Sequence, residues 1–183
     1  NRHASVEDVI IMTTLEIPKD VNVEINGNEI AVQGKLGSIK KNVATESVDI
    51  KKEGNTITIK PKTTMRKSKA MAGTISSHID NMFTGVTKGW TYTLKILYLH
   101  FPMTVKAEKN KVVISNFLGE RTPRIAGIIG ESKVEGKGDQ IIITGVNIED
   151  VSRTASNIER ATRIKSYDRR VFQDGIFITS KGD

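Results

Sequence analysis

Residues 17–37 read IPKDVNVEINGNEIAVQGKLG, and a stretch of similar pattern, FPMTVKAEKNKVVISNFLG, occupies residues 101–119. Each stretch opens with an apolar residue followed by proline and closes with Leu-Gly. Two later markers, one in a predicted strand and one in a predicted helix, keep the same spacing. They are Ile59 with Ile143, and Ile75 with Ile158. The four offsets lie between 82 and 84 residues, so the chain is predicted to contain a duplicated unit of about 83 residues.

Each copy begins with the same predicted strands. Apolar residues alternate with polar ones on both sides of the turn Asn26-Gly27-Asn28, which predicts a hairpin over residues 21–32. A second alternating pair predicts a hairpin over residues 48–59. The second copy repeats this order, with hairpins over residues 105–114 and up to residue 143.

The apolar period then changes from two to about 3.6, which indicates a helix in each copy. The first helix carries an apolar face over residues 71–83, and Gly85 is expected to end it as a left-handed C-cap. The second carries its apolar face over residues 151–162. Asn147 is its expected N-cap, with the acidic residues 149–150 in the first turn.

One further strand is expected after each helix, over residues 90–98 and 175–179. The predicted fold class is therefore α+β: two tandem copies of a small domain, each a β-sheet or partly open barrel of several strands packed with one α-helix. The predicted boundaries are an N-terminal extension over residues 1–12, a first repeat over 13–97 and a second repeat over 98–183.

Composition excludes several kinds of chemistry. The 183 residues include no cysteine, so disulfides and thiolate metal sites are excluded. Three histidines without ligand spacing predict no metal site, and no sequence motif of a hydrolase or a nucleotide-binding loop is present. Neither catalytic residues nor a cofactor nor a small-molecule substrate is expected.

The longest apolar stretch is too short for a membrane span. A net charge of +7 favours a polyanionic partner.

Positive charge is concentrated in two parts of the chain. Residues 54–79 contain five cations and no acidic residue, and they lead into the first predicted helix. Cations at the start of a helix oppose its dipole, so they favour an anion bound at the exposed amide groups; a solvated surface is the alternative. These candidate binding residues are Lys60, Lys62, Arg66, Lys67 and Lys69.

Arginine is concentrated in the second copy, which holds seven of the nine. Arginine binds phosphate through two nitrogens at once, and aromatic rings between cations can stack on bases. The alternatives are complementing the helix dipole, for the cations at the helix end, and an ordinary strand lead-in, for the aromatic residues. The candidate binding residues of this copy are Arg121, Arg124, Arg153, Arg160, Arg163, Lys165, Tyr167, Arg169 and Arg170.

Several motifs resemble a family of large-subunit ribosomal proteins, called L6 in bacteria and L9 in eukaryotes. The resemblance covers residues 13–182 and is greatest to the eukaryotic and archaeal branch. The motifs include Val32-Gln33-Gly34-Lys35-Leu36-Gly37, Tyr98-Leu99-His100-Phe101-Pro102, Asn116-Phe117-Leu118-Gly119-Glu120, Gly145-Val146-Asn147-Ile148-Glu149 and Asp174-Gly175-Ile176.

The resemblance implies a structural protein of the cytoplasmic ribosome that is built from two copies of one small fold. It implies binding to large-subunit ribosomal RNA, mainly through the second copy and near the sarcin-ricin region beside the translation-factor site. Neighbouring large-subunit proteins are the other implied partners, and no membrane is implied. The alternative is a non-ribosomal module for nucleic acid or protein on the same duplicated fold, since fold does not dictate function.

Overall fold

A computed structural model describes residues 13–43, 47–165 and 167–182, so the predicted N-terminal extension lies outside the described residues. The chain divides into two compact units between Thr87 and Lys88. Both units combine small antiparallel sheets with one helix, which confirms the predicted duplicated α+β fold.

The first unit contains two three-stranded sheets, with strand orders β2-β3-β4 and β1-β6-β5. The predicted hairpins are β2-β3 and β5-β6. Val23, Ile30 and Val32 are buried from the first hairpin, and Ile57 and Ile59 from the second, as alternation requires. The elements are β1 (Thr13–Glu16), β2 (Asn22–Asn26), β3 (Glu29–Gln33), β4 (Ser38–Asn42), β5 (Val48–Glu53), β6 (Thr56–Pro61) and α1 (Arg66–Thr87).

Helix α1 extends further than its sequence predicts. Gly85 lies inside the helix and is buried, so its prediction as a C-cap is wrong. Two hydrogen bonds support the extra residues: the Thr87 hydroxyl donates to the Phe83 carbonyl at 2.7 Å, and the Leu36 amide donates to the Val86 carbonyl at 3.1 Å. The glycine that adopts a left-handed conformation after the end of α1 is Gly89, with φ of 80°.

The second unit contains a three-stranded sheet, β10-β9-β8, and a four-stranded sheet, β11-β12-β7-β13. Its core includes Leu94, Ile114 and Ile143 from the strands and Val151 and Ile158 from the helix, all fully buried. The elements are β7 (Trp90–Leu97), β8 (Thr104–Ala107), β9 (Lys111–Ser115), β10 (Arg124–Gly127), β11 (Lys133–Lys137), β12 (Gln140–Gly145), α2 (Ile148–Ala161) and β13 (Gly175–Lys181).

Helix α2 begins as the sequence predicts. Asn147 is the N-cap: its side-chain oxygen accepts from the Glu149 amide at 3.0 Å. Glu149 and Asp150 lie in the first turn, where carboxylates complement the exposed amides.

The two compact units divide between Thr87 and Lys88, about ten residues before the predicted boundary of the repeats. β7 follows α1 in sequence but pairs antiparallel with β12 and β13, so it belongs to the second unit. Its counterpart is β1. Leu15 of β1 faces Ile57, and Leu94 of β7 faces Ile141, which are equivalent positions in the two copies. Each copy therefore begins with this strand, and β13 is an additional strand at the far edge of β7.

The loop that follows this strand differs in length between the copies. Pro18 comes three positions after Leu15, whereas Pro102 comes eight positions after Leu94. The five extra positions bring residues 97–101 to the surface, where Leu97, Tyr98, Leu99 and Phe101 are exposed. Neither helix of the described ranges is long and apolar enough to cross a membrane.

Candidate nucleic-acid interface

The chain between α2 and β13 contains many of the candidate residues of the second unit. We name residues 163–174 the return segment, because they carry the chain from the end of the helix back to the sheet. Arg163, Lys165, Tyr167, Arg169 and Arg170 are all exposed along it.

A turn at Asp168 shapes the middle of the return segment. The Asp168 carbonyl accepts from the amides of Val171 and Phe172 at 3.1 and 2.9 Å. The Asp168 side chain accepts from the Arg170 amide at 2.9 Å. These bonds occupy backbone groups and leave the side chains of Arg169 and Arg170 exposed to solvent.

The end of the return segment is attached to the long loop after β7. Asp174 is only 2% exposed, and its carboxylate accepts from the Leu99 amide and from Nδ1 of His100, the latter at 3.0 Å. The five-residue extension of the second copy therefore supplies the groups that hold this buried acid.

Three aromatic rings form a row beside this attachment. The ring centroids of His100 and Phe172 are 4.6 Å apart and the planes are 29° from parallel. Tyr167 lies 4.7 Å from Phe172 in a tilted arrangement. Such pairs add to stability beyond burial and fix the orientation of Phe172.

Thr162 attaches the other end of the segment. Its hydroxyl donates to the Glu159 carbonyl at 3.1 Å and accepts from the Ile176 amide at 3.0 Å. The residue is buried, and it connects the last turn of α2 to the start of β13. Both ends of the return segment are therefore held by buried polar contacts.

The return segment, α2 and the sheet enclose a cleft of about 640 Å³, which we name the arginine cleft. Three of the candidate cations, Arg160, Arg163 and Arg169, line it. The remaining lining residues include five apolar or aromatic ones, Leu97, Ile164, Phe172, Ile176 and Phe177, and four polar ones, Glu159, Thr162, Gln173 and Asp174. The cleft combines positive charge with aromatic surface.

The other candidates of the second unit lie outside the cleft lining. Arg121, Arg153, Lys165, Tyr167 and Arg170 are exposed but do not line it. The described ranges show no ion pair to any cation of α2 or the return segment, namely Arg153, Arg160, Arg163, Lys165, Arg169 and Arg170. These cations form no ion pair with a described carboxylate, although Glu159 and Asp174 line the same cleft as three of them.

Arg124 differs from the other arginines because the protein itself uses its donors. Nε and Nη2 donate to the two Glu120 oxygens at 2.8 and 2.6 Å, and Nη1 donates to the Ala161 and Arg163 carbonyls at 2.9 and 3.1 Å. The guanidinium carbon lies 4.2 Å from the centre of the Phe117 ring. Arg124 caps the C-terminus of α2, so the structure does not favour its predicted role in binding.

Glu120 shows the electrostatic effect of this contact. The hydrogen bonds from Arg124 lower the pKa of the Glu120 carboxyl below its ordinary value, against a smaller opposing effect of burial. Phe117, which packs beneath Arg124, is fully buried. Residues 116–120 thus position Arg124 against the C-terminus of α2 and have a structural role.

The candidate cations of the first unit, residues 60–69, lie around the start of α1. Lys62 has an ion pair of 3.6 Å with Asp49, which lies outside the acid-free stretch of sequence. Lys60 is opposite Asp49 in the strand register. Arg66 and Lys67 are exposed in the first turn and Lys69 is half-buried. Part of the predicted positive charge is therefore compensated.

The sequence predicts only the three arginines of the cleft and misses its other lining residues. Phe177 and Gln173 line the cleft, and His100 orients Phe172. Only the alternation of β13 could have placed Phe177 on a surface. No local pattern joins His100 to Asp174, which are 74 positions apart. In the ranges that the structure covers, no three His, Asp or Glu side chains form a group suited to a metal ion.

Comparison with known proteins gives consistent matches. The family model described as ribosomal protein L6 matches twice, at residues 17–89 and 101–175. Proteins called large ribosomal subunit protein uL6 are similar over nearly the whole chain. The one from Methanobrevibacter smithii is 49% identical, covering 93% of this chain and 96% of its own length. The one from Staphylothermus marinus is 48% identical, covering 94% and 96%.

The Methanosphaera stadtmanae protein of the same name is 50% identical and covers 93% of this chain and 94% of its own. The two family matches fall one in each half of the chain, as the duplicated fold requires. Both the matched residues and the extent of identity lead to one assignment. The chain belongs to the ribosomal protein L6 family.

Proposed function

We propose that this chain is a structural constituent of the large ribosomal subunit in the cytoplasm, where it binds large-subunit ribosomal RNA mainly through its second unit. The family consists of structural components of the ribosome and not of enzymes, which supports the first part. The observation that carries the second part is the arginine cleft, where three arginines without acidic partners among the described residues lie beside aromatic surface.

The charge of the second unit suits a phosphate backbone. Arg160, Arg163 and Arg169 can each donate two parallel hydrogen bonds to a phosphate. Lys165 and Arg170, exposed on the same segment, extend the positive surface. Phosphate contacts of this kind position a protein on RNA without reading its sequence. The resemblance to the L6 family supports a position near the sarcin-ricin region, and neighbouring ribosomal proteins are the other proposed partners.

Sedimentation tests the ribosomal part of the proposal. Cell extract is separated on a sucrose gradient before and after a high-salt wash, and the protein is located by antibody. We expect a peak with the large subunit that survives the wash. A protein that stays at the top of the gradient would instead support a free binding module on the same fold.

Binding of purified full-length protein to large-subunit RNA tests the second part. Replacement of Arg160, Arg163 and Arg169 by alanine should weaken binding more than tenfold, because each replacement removes a phosphate contact. The matched control replaces the exposed first-unit residues Lys19, Lys40 and Lys51, which removes the same charge. Equal losses in both variants would contradict a site on the second unit.

A further inference from the structure

We propose that the arginine cleft holds a single nucleotide that is unstacked from the RNA, with its base against the aromatic wall and its phosphate on the arginines. This inference deepens the proposed RNA-binding function and rests on it. Duplex RNA recognised only by its backbone would use the arginines and leave the rest of the cleft without a role.

The size of the cleft fits a small ligand. Its volume of about 640 Å³ lies within the range of roughly 300–1,000 Å³ typical of small-molecule sites. Buried Thr162 and Ile176 are among its lining residues, and the return segment that lines it is held at both ends by buried polar contacts. The cleft is therefore a formed feature of the second unit and does not depend on one mobile side chain.

The apolar wall is suited to a base. Phe177 is 41% exposed on the edge strand β13, and Leu97 at the end of the neighbouring strand β7 is also exposed. Phe172 completes the wall, and stacking on His100 fixes its orientation. Aromatic side chains bind unpaired bases by stacking on their faces. Those faces are hidden in a duplex.

The polar groups of the cleft distinguish a nucleotide from a simple phosphate. The carboxylate of Glu159 and the amide of Gln173 line the cleft together with the arginines. One Glu159 oxygen accepts from the Ile178 amide at 3.5 Å, so its other oxygen is the acceptor offered to a base. The second lining carboxylate, Asp174, is occupied by Leu99 and His100. A carboxylate repels phosphate but accepts hydrogen bonds from the amino and imino groups of a base edge. The arginines attract phosphate. The phosphate of the nucleotide thus matches the arginines, and the edge of its base matches Glu159 and Gln173.

Three RNA hairpins of otherwise identical sequence test the proposal: one fully paired, one with a single-nucleotide bulge, and one in which the bulged position is abasic. Their dissociation constants for the full-length protein are measured by fluorescence anisotropy at one fixed salt concentration. We expect the bulged hairpin to bind roughly tenfold more tightly than the paired one, and the abasic hairpin to bind like the paired one.

Replacement of Phe177 by alanine should abolish this preference and change binding to the paired hairpin little. Tyr98→Ala is the matched control, because Tyr98 is also an exposed aromatic residue but does not line the cleft. Phe177→Leu, which keeps an apolar side chain without a ring, covers the case in which the alanine variant folds poorly. Circular dichroism melting checks the fold of each variant.

Two results would overturn the inference while leaving the proposed function intact. One is equal affinity for the bulged and paired hairpins. The other is an abasic bulge that binds as well as the bulged base, which would mean that the protein recognises a bent backbone. Loss of binding to all three hairpins and to large-subunit RNA would overturn the proposed function itself.

Discussion

Asp174 and His100 are joined by a hydrogen bond of 3.0 Å between a buried carboxylate and an imidazole at the surface of the second unit. The same carboxylate accepts from the Leu99 amide. One acidic side chain therefore holds both the loop after β7 and the start of β13. A buried carboxylate is stable only when such donors satisfy it.

Replacement of Asp174 by alanine should lower the free energy of unfolding of the second unit by about 2–3 kcal/mol, because the Leu99 amide loses its partner. Urea unfolding followed by circular dichroism measures this loss. Asp139→Ala is the control: Asp139 is an exposed acid in a hairpin turn, and its replacement should change stability by less than about 0.5 kcal/mol. Similar losses in both variants would contradict the anchoring role.

Replacement of Arg124 by alanine should cost stability and spare RNA binding. The variant loses the bonds to the Ala161 and Arg163 carbonyls and the contact with Phe117, so we expect a loss of about 1–3 kcal/mol. Arg163→Ala should show the reverse, with weaker RNA binding and nearly unchanged urea unfolding. A large loss of RNA affinity in a folded Arg124→Ala protein would restore Arg124 to the interface.

The Glu120 carboxyl makes the second unit sensitive to acid. Its pKa is lower in the folded than in the unfolded chain, where it is near 4.5, because Arg124 stabilises the ionised form. The contact therefore contributes full stability above that pH, and the contribution is lost as pH falls through the lower folded pKa. In Glu120→Gln, the urea concentration at the midpoint of unfolding should change less with pH over this acid range. In Glu131→Gln, a replacement at an exposed turn, the urea midpoint should change with pH as it does in the wild type.

The salt dependence of RNA binding should report how many arginines meet phosphate. Each phosphate contact contributes about 0.7–0.9 to the slope of log affinity against log salt concentration. Removal of Arg160, Arg163 and Arg169 should lower that slope by about 2–3. Titrations at four or more salt concentrations determine it. A slope that stays constant while affinity falls would show that these arginines act without releasing counterions.

Two glycines of the first unit should respond oppositely to alanine. A Cβ at Gly34 would lie 2.7 Å from Cγ2 and 2.9 Å from the carbonyl oxygen of Val86, so Gly34→Ala should destabilise the unit by about 1–3 kcal/mol. Gly73 is exposed inside α1 with nothing within 4 Å of its Cβ position. Gly73→Ala should stabilise the helix by up to about 1 kcal/mol. Thermal unfolding compares the two variants.

The hairpins and helices were predictable because local patterns encode them. Alternation at Val23 and Val32 identifies a strand face, and Asn147 followed by acidic residues identifies a helix start. The pairing of β7 could not be predicted because strand pairing joins residues far apart: Leu94 faces Ile141, although the sequence places Leu94 just after α1. The short strands β1, β4 and β10 carried too little alternation to be predicted.

The candidate site was predictable only as a concentration of cations. The sequence gives Arg124 and Arg163 equal standing as candidate binding residues. Only the structure reveals that Arg124 donates to a carbonyl at the end of α2. Phe177 and Asp174 carry no motif of their own that points to a cleft. A sequence pattern records which charges are present, whereas the use of each donor depends on contacts across 30 or more positions.

The additional strand β13 has a consequence for how the two copies tolerate mutation. β13 pairs along the open edge of β7, and its fully buried Ile176 adds a side chain to the core of the second unit. The surface carried on the way to that strand can then vary with little effect on folding, provided that Thr162 and Asp174 keep their buried contacts. The strand pairing of β13 and the exposed cations of residues 163–170 are thus separable features of the second unit, and changes to the cations need not disturb the sheet.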